Sequence, residues 1–338
     1  MVTLSVKEIK GNRYLYLKDT FKDNSKHVPV EVYCGRLDKL SADNVSEKYS
    51  KLRDLRITTY LDARTGKYPV NYLPAPDITT LETMRYYYNE FRQHLSDESS
   101  KYIDSVYVRY VQGTTAIEGN TLSLDEAQEL IEHGIVPAGK KIDEVYEVLN
   151  FINLRHYLDD TNGEITERMI REMHGIIMDR LVSSPGEYRR TEVSINKVDY
   201  TPTPGLLVPA EMKNLIGWYK KQMKTMHPFE LAVELHTKFE MIHPFPDGNG
   251  RVGRALMNAV LERAGYPTLY LCLDDRKAYL DAMVIADNGD FSVITQTLRD
   301  IYLQQHEKII KSVRETLANQ KPDPKLLLEF QRHKRSIQ

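Results

Sequence analysis

The sequence predicts a mainly α-helical protein that begins with a small antiparallel β-sheet and carries a β-hairpin within its helical part. Apolar residues recur every three or four positions over most of the chain after Thr79, as on the buried face of an α-helix. In the first 36 residues short apolar runs instead alternate with polar turns, which is typical of strands. One further extended stretch, with Thr-Pro-Thr-Pro at 201–204, interrupts the helical part. We expect that stretch to form the hairpin.

Composition narrows the class of protein. The chain has 338 residues, 41% hydrophobic and 28% charged, which is typical of a globular protein of about two domains. Its net charge of −2 argues against a dedicated nucleic-acid binder, which needs a cationic surplus. No apolar run approaches the roughly 20 residues that span a bilayer, and two cysteines are too few for a disulfide framework. We therefore expect a cytoplasmic protein that does not bind membranes.

Three strands and a helix are predicted before the first domain boundary. The strand-like runs are Leu4–Ile9, Tyr14–Lys18 and Val28–Tyr33. A charged helix should follow from Ser41 to about Arg56. Three prolines between Tyr68 and Asp77 then end regular structure. We predict domains at 1–75, 76–310 and 311–338, the last being a C-terminal helix or tail.

Helix boundaries in the second part are marked by caps and breakers. Ser123 and Glu126 form a capping box for a helix that starts at Leu124. Another helix follows Thr166 and is broken at Pro185-Gly186. Two more helices, the first starting at Pro228 and the last ending before Gly265-Tyr266-Pro267, flank a segment rich in glycine and charge.

That segment reads His243-Pro-Phe-Pro-Asp-Gly-Asn-Gly-Arg-Val-Gly-Arg254. Its prolines hold His243 at the end of a helix, and the N–H groups of the next helix point back at the loop as an anion site. Arg251 and Arg254 lie three positions apart, so both can reach one anion. Asp247 is suited to Mg²⁺, and His243 to general-base work on a hydroxyl. These residue types indicate phosphoryl or nucleotidyl transfer.

Three other interpretations of this segment are weaker. Gly248, Gly250 and Gly253 match a dinucleotide-binding pattern, but that pattern requires a preceding strand, whereas the period here is helical. Asp247-Gly-Asn249 resembles the start of an EF-hand, but that loop needs glycine and glutamate where Val252 and Asn258 stand. The third is that His243 and the arginines merely cap helices, which leaves so many anion-directed groups in one segment unexplained.

The segment resembles the signature of the Fic family: His-Pro-Phe, any residue, Asp or Glu, Gly-Asn-Gly-Arg, and a second arginine three positions later. The resemblance extends over about Ser100–Ile301. It includes the predicted hairpin, which we call the flap, and a tyrosine-bearing stretch, Arg276–Phe291. It implies a Fic-type helical bundle that transfers AMP from ATP, with Mg²⁺, to a hydroxyl of a protein. His243 would be the catalytic base.

The resemblance also assigns the binding residues. Asp247 would hold Mg²⁺, and Arg254 the γ-phosphate. Flap residues 193–196 would pin the target by strand-like pairing. The residues expected to bind the nucleotide or target are Val193, Ser194, Ile195, Asn196, Asp247, Gly248, Asn249, Gly250, Arg251, Val252, Gly253, Arg254, Tyr279, Leu280 and Asp287. Asp287 departs from the family pattern, which has asparagine there, so a strict preference for ATP is less secure.

A second motif lies at Thr114-Thr115-Ala116-Ile117-Glu118-Gly119. Taken alone, Glu118 is a solvated carboxylate near the end of a helix at about 100–120. Beside the signature it resembles the inhibitory glutamate of the family, which would pair with Arg254 and intrude where the γ-phosphate must lie. In some relatives this glutamate instead positions a water that removes AMP.

Other functions remain open on the sequence. The same fold transfers other phosphate-bearing groups, and the N-terminal sheet is compatible with a docking module attached to a nucleotide sensor. The expected partners are ATP and a protein hydroxyl, with self-modification and a homodimer as further expectations. The remaining histidines, including His174 and His236, have no ligand-like spacing, and we expect no zinc site.

Overall fold

The computed structural model describes residues 2–23, 26–161, 163–193 and 201–336. Its elements are, in order, β1 (Thr3–Ile9), β2 (Asn12–Asp23), β3 (Lys26–Arg36), α1 (Ala42–Thr65), α2 (Ala75–His94), α3 (Ser96–Ile117), α4 (Leu124–His133), α5 (Ile142–Asp160), α6 (Glu167–Ile177), α7 (Val208–Gln222), α8 (Pro228–Ile242), α9 (Asn249–Arg263), α10 (Arg276–Ala286), α11 (Ser292–Asn319) and α12 (Pro324–Arg335). The prediction of a mainly helical protein with an N-terminal antiparallel sheet is confirmed. Most of the predicted flap, residues 194–200, lies outside the described residues.

The chain forms two compact units that do not follow chain order. One unit takes residues from 1–68, 78–87 and 309–338, and the other from 69–77 and 88–308. The C-terminal helix α12 therefore belongs with the N-terminal sheet. The domain boundaries drawn from the sequence remain predictions.

The first unit is a three-stranded antiparallel sheet in the order β1-β2-β3, packed on α1. Alternate residues of β2, among them Leu15 and Leu17, face its core. Leu326 and Phe330 of α12 fill the same core. Pro29 lies in β3, which is an edge strand of the sheet. Proline is tolerated in edge strands, because one side of such a strand has no neighbour to which a backbone N–H must donate.

The strands and the first helix are longer than their sequence patterns predict. β2 continues to Asp23 and β3 begins at Lys26, because the two strands pair with each other out to these residues. α1 begins directly after Ser41, close to the predicted start, but continues past Arg56 to Thr65, because its buried face extends to Tyr60 and Arg64. In both cases packing partners override a local polar composition.

The second unit is built around the antiparallel pair α8 and α9. Nearly every residue of α9 from Asn249 to Leu261 is buried, and α8 is buried over most of its length. Helices α3, α6 and α7 pack against this pair. The loop between α8 and α9, which carries the signature, is thus held at one end of a fully enclosed helix hairpin.

No helix within the described residues combines the length and the apolar character that crossing a membrane requires.

Phe330→Ala should destabilise the first unit by about 3–5 kcal/mol, because it leaves a cavity where a 2% exposed ring packs. Denaturant unfolding measures the effect. Leu328→Ala, at a side chain that is 55% exposed on the same helix, is the control and should stay within about 0.5 kcal/mol of the parent. Equal effects of the two variants would contradict the packing of α12 described above.

Candidate active site

The loop between α8 and α9 is fixed by its own backbone and by one side chain. His243 caps α8 in the left-handed conformation, with φ of 51°, and its N–H donates to the carbonyl of Phe239. The side chain of Asn249 accepts from the N–H of Phe245 at 2.9 Å and donates to the carbonyl of the same residue at 2.8 Å. The side-chain amide of Asn249 is therefore used within the loop, where it fixes the position of Phe245.

The imidazole of His243 is partly exposed on one edge. Its side chain is 20% exposed, while its Nδ1 atom is buried and lies 3.9 Å from Oε2 of Glu240. The exposed edge therefore carries Nε2. Burial, followed by the positive charge of Arg189, lowers the pKa of His243, so the ring is neutral at neutral pH. A neutral imidazole with an accessible nitrogen can accept a proton.

Arg189, which the sequence analysis did not single out, braces this loop from behind. Its guanidinium donates to the carbonyls of His243 at 2.6 Å, of Ile242 at 3.2 Å and of Thr191 at 2.9 Å, and its backbone N–H donates to the carbonyl of Pro244 at 2.9 Å. The side chain is 3% exposed. A buried arginine thus satisfies the carbonyls freed where α8 ends.

His174 of α6 is a second brace, and it was predicted only as a histidine without ligand-like spacing. Its Nδ1 accepts the N–H of Gly186 at 2.7 Å, so Nε2 carries the proton that it donates to the carbonyl of Asp247 at 3.1 Å. Its ring stacks on Phe245 with centroids 3.7 Å apart. Burial lowers the pKa of His174 to about 4, which keeps this neutral tautomer in place.

Asp247 presents a carboxylate that fits a magnesium ligand. The side chain is 66% exposed, and its Oδ1 accepts the N–H of Gly248 at 2.6 Å at the start of α9. Magnesium bound with nucleotides usually takes one or two carboxylates and completes its shell with phosphates and water. Within the described ranges no group of three or more His, Cys, Asp or Glu side chains could hold a metal. A single carboxylate beside an anion-binding helix end suits magnesium that is bound together with a nucleotide.

Arg251 is engaged within the fold. Its Nη1 donates to Oε1 of Glu147 on α5 at 2.6 Å, and its Nη2 lies 3.5 Å from Oδ1 of Asp247. The other oxygen of Glu147 accepts from Asn120 at 2.8 Å, in the segment that follows Glu118. The 5% exposed Arg251 side chain therefore connects α5 to the signature loop.

Arg254 is bound to the end of α3. Its Nη2 donates to Oε1 of Glu118 at 2.7 Å and to the carbonyl of Thr114 at 2.9 Å, and its Nε donates to the hydroxyl of Thr114 at 2.8 Å. The Arg254 side chain is 4% exposed, and that of Glu118 is 36% exposed. Burial of Glu118 opposes its ionisation, but Arg254 outweighs this and holds the pKa of Glu118 below its usual value. The pair is therefore ionic at neutral pH.

Glycines allow this close approach at the start of α9. A Cβ on Gly250 would collide with Oε1 of Glu118, and one on Gly253 would collide with Oε1 of Glu240. Gly248, with φ of 78°, is the N-cap and offers no side-chain cap to the first N–H groups. Glu118 thus lies directly over the anion-binding end of α9.

The remaining predicted binding residues are distributed around this centre. Tyr279 is 2% exposed, and its hydroxyl lies 2.8 Å from Nε2 of His236. Leu280, Asp287 and Val193 are half-buried, and Val252 is buried. Ser194, Ile195 and Asn196 lie outside the described residues.

Comparisons with known proteins agree with this architecture. Residues 164–261 match the model of the Fic/DOC family. The signature loop between α8 and α9 lies within this matched segment.

Particular relatives include protein adenylyltransferase Fic of Culex quinquefasciatus, 34% identical over 57% of this chain and 40% of the relative. Protein adenylyltransferase fic-1 of Caenorhabditis elegans is 35% identical over 54% of this chain and 37% of the relative. The chain thus spans less than half the length of these curated relatives.

The fold matches solved Fic structures. Fic-1 of C. elegans superimposes with a TM-score of 0.64 and 25% identity, over 81% of this chain and 88% of that chain. A Fic-domain-containing signalling protein of Bacteroides thetaiotaomicron superimposes with a TM-score of 0.63 and 24% identity, over 70% of this chain and 98% of that chain.

Arg189→Lys should destabilise the protein by about 2 kcal/mol or more, because one ammonium cannot reach the same set of carbonyls as the planar guanidinium. Urea unfolding measures this loss. Arg190→Lys, at the exposed neighbouring position, should change the free energy of unfolding by less than about 0.5 kcal/mol. A loss at 190 as large as that at 189 would rule out the bracing role.

Proposed function

We propose that this chain is an autoinhibited protein adenylyltransferase that moves AMP from ATP to the hydroxyl of a serine, threonine or tyrosine. The observation that carries the proposal is the convergence, within a Fic domain, of His243, Asp247 and Arg254 on the N-terminus of α9. The names of the relatives support the reaction class.

The triphosphate would lie at the start of α9. The unfilled N–H groups and the positive end of the helix dipole favour negative charge there, and Arg254 adds a fixed cation one turn further on. Gly250 leaves room for an oxygen close to the backbone, since an oxygen of Glu118 already occupies that space. These preorganised donors would stabilise charge on the transferred group.

The chemical step uses the exposed edge of His243. Its Nε2 would take the proton of the target hydroxyl, and the hydroxyl oxygen would form a bond to the α-phosphorus. The bond from that phosphorus to the bridging oxygen of pyrophosphate would break, and pyrophosphate would leave with the electron pair. Arg189 and His174 hold the loop in place while this happens.

Asp247 would hold Mg²⁺, whose charge would offset that of the phosphates. Tyr279, Leu280 and Asp287 would contribute to the adenine side of the site. Flap residues 193–196 would align the target segment. The target would be another protein or the chain itself, and a homodimer remains part of the proposal.

Inhibition follows from the position of Glu118. Its carboxylate takes up the guanidinium that would otherwise bind the γ-phosphate, and it places negative charge over the anion site. A triphosphate in the productive orientation would face this charge. The Arg276 guanidinium donates to the carbonyl of Ile117 at 3.1 Å and holds the end of α3 there.

Glu118→Gly should raise the transfer of AMP at least tenfold, because it frees Arg254 and removes the repelling charge. His243→Ala in the same background should lower the rate by about 10²–10⁴ through loss of the base. Incubation with Mg²⁺ and ATP labelled at the α-phosphate, followed by mass spectrometry of the adduct, measures both effects.

Glu118→Gln and Glu98→Gln form a matched pair for this test. Glu98 is an exposed carboxylate on the same helix, so its substitution should leave AMP transfer unchanged. Label that appears only from the γ-phosphate would overturn adenylyl transfer. If AMP transfer does not rise in the Glu118 variants, Glu118 is not inhibitory.

A further inference from the structure

The charges of the chain are divided unevenly between its two units. The unit that contains the sheet has 22 lysines and arginines against 13 aspartates and glutamates, which gives it a net charge of +9. The other unit has 24 against 35, a net charge of −11. The charge of −2 on the whole chain therefore describes neither unit, and the first unit has the cationic surplus that attracts polyanions.

Three tyrosines lie together on the face of the sheet that points away from its core. Tyr14 and Tyr16 alternate along the central strand β2 with Leu15 and Leu17, which face the core. Tyr33 lies beside them on β3, with its ring centroid 6.1 Å from that of Tyr14 and 5.3 Å from that of Tyr16. The Tyr33 side chain is 50% exposed. The cluster thus presents aromatic rings on the outer face of a sheet.

Exposed aromatic rings on a sheet are suited to one class of ligand in particular. Sheets that bind single-stranded nucleic acid stack two or three bases on aromatic side chains of one face. Such stacking tolerates any sequence, because every base has a π-face. Two aromatic residues on a central strand and one on its neighbour provide a platform of this size.

Lysines border the tyrosines on the same face. Nζ of Lys7 lies 4.0 Å from the ring centroid of Tyr16. Lys7 and Lys18 both pair with Glu31, at 2.5 Å and 3.2 Å, and all three side chains are at least one-third exposed. Exposed ion pairs contribute little free energy, so a phosphate can replace Glu31 at low cost.

The C-terminal end of α12 adds cations at the edge of the sheet. Arg13 directly precedes Tyr14, and its Nη1 donates to the hydroxyl of Ser336 at 3.2 Å. Arg332 and Arg335 are exposed and lie within one helical turn of Ser336. Basic side chains from β1, β2 and α12 therefore adjoin the tyrosines.

We propose that the outer face of the N-terminal sheet, together with the end of α12, is a docking surface for single-stranded nucleic acid. Bases would stack on Tyr14, Tyr16 and Tyr33. Phosphates would bind Lys7, Arg13 and the arginines of α12. An acidic protein segment would meet the same positive charge, but it would leave the tyrosine platform unused, so the tyrosines favour nucleic acid. This surface is separate from the proposed adenylyl transfer and adds a binding function to it.

The test measures fluorescence anisotropy of labelled oligonucleotides with the full chain. The probes are oligouridylate and oligothymidylate of about 12 nucleotides, within the range of known single-strand sites. A DNA duplex of the same length and polyglutamate are the polyanion controls. Both single strands should bind at least about tenfold more tightly than either control, because only they offer unpaired bases for stacking. The tighter of the two single strands identifies the preferred sugar.

Tyr14→Leu/Tyr33→Leu should weaken single-strand binding at least about tenfold, because two stacking surfaces are lost. Tyr14→Phe/Tyr33→Phe keeps both rings and should stay within about threefold of the parent. The comparison separates base stacking from apolar contact, since leucine and phenylalanine are both apolar.

Lys7→Gln/Arg13→Gln should lower the slope of log K against log salt concentration by about 1.4, since each phosphate contact to a single strand contributes about 0.7. Lys51→Gln is the control. Lys51 is exposed on α1 and pairs with Glu47 at 2.7 Å, so its loss breaks a similar surface ion pair away from the tyrosines. The slope should not change in that variant.

Absence of single-strand binding, equally tight binding of the duplex, or unchanged binding by the leucine variant would each overturn the docking surface. AMP transfer should be unaffected in all these variants, because none of the substituted residues belongs to the proposed active site. Failure of the proposed function would abolish AMP transfer in every variant and leave the anisotropy result intact. Thermal unfolding verifies that each variant keeps the fold.

Discussion

The ion pair between Glu118 and Arg254 is the interaction on which the site depends. It joins the end of α3 to the first turns of α9 across a sequence separation of 136 residues. Arg254 is almost fully buried and needs a carboxylate or a phosphate to offset its charge. In the proposed inhibition, the carboxylate of Glu118 and a phosphate compete for this one guanidinium.

Backbone proximity makes that competition steric as well as electrostatic. Glycine at 250 and 253 lets the oxygens of Glu118 and Glu240 approach α9 more closely than any side chain would permit. In the proposed inhibition, the start of this helix would accept either the carboxylate of Glu118 or a phosphate. The proposed exchange would leave α9 in place, because nearly all of its residues are buried.

Neutral histidines and a buried arginine keep the loop rigid around this helix start. Burial lowers the pKa of His174 to about 4 and that of His236 to about 3, so both serve as fixed, uncharged hydrogen-bonding groups at neutral pH. Arg189 supplies the positive charge behind the loop and satisfies its carbonyls. His243 thus stands on a scaffold whose protonation state does not change near neutrality.

The sequence by itself determined the helical class, the N-terminal sheet, the cap at Ser123 and the signature that marks the loop, because these depend on neighbouring residues. Only the tertiary structure decided which distant groups meet. Arg189 reaches the carbonyl of His243 across 54 residues, and Glu147 reaches Arg251 across 104. Neither has a local pattern to reveal it, since any buried arginine or helical glutamate looks the same in sequence. Chain order likewise gave no sign that α12 completes the core of the first unit, because that packing depends on three-dimensional proximity rather than on local composition.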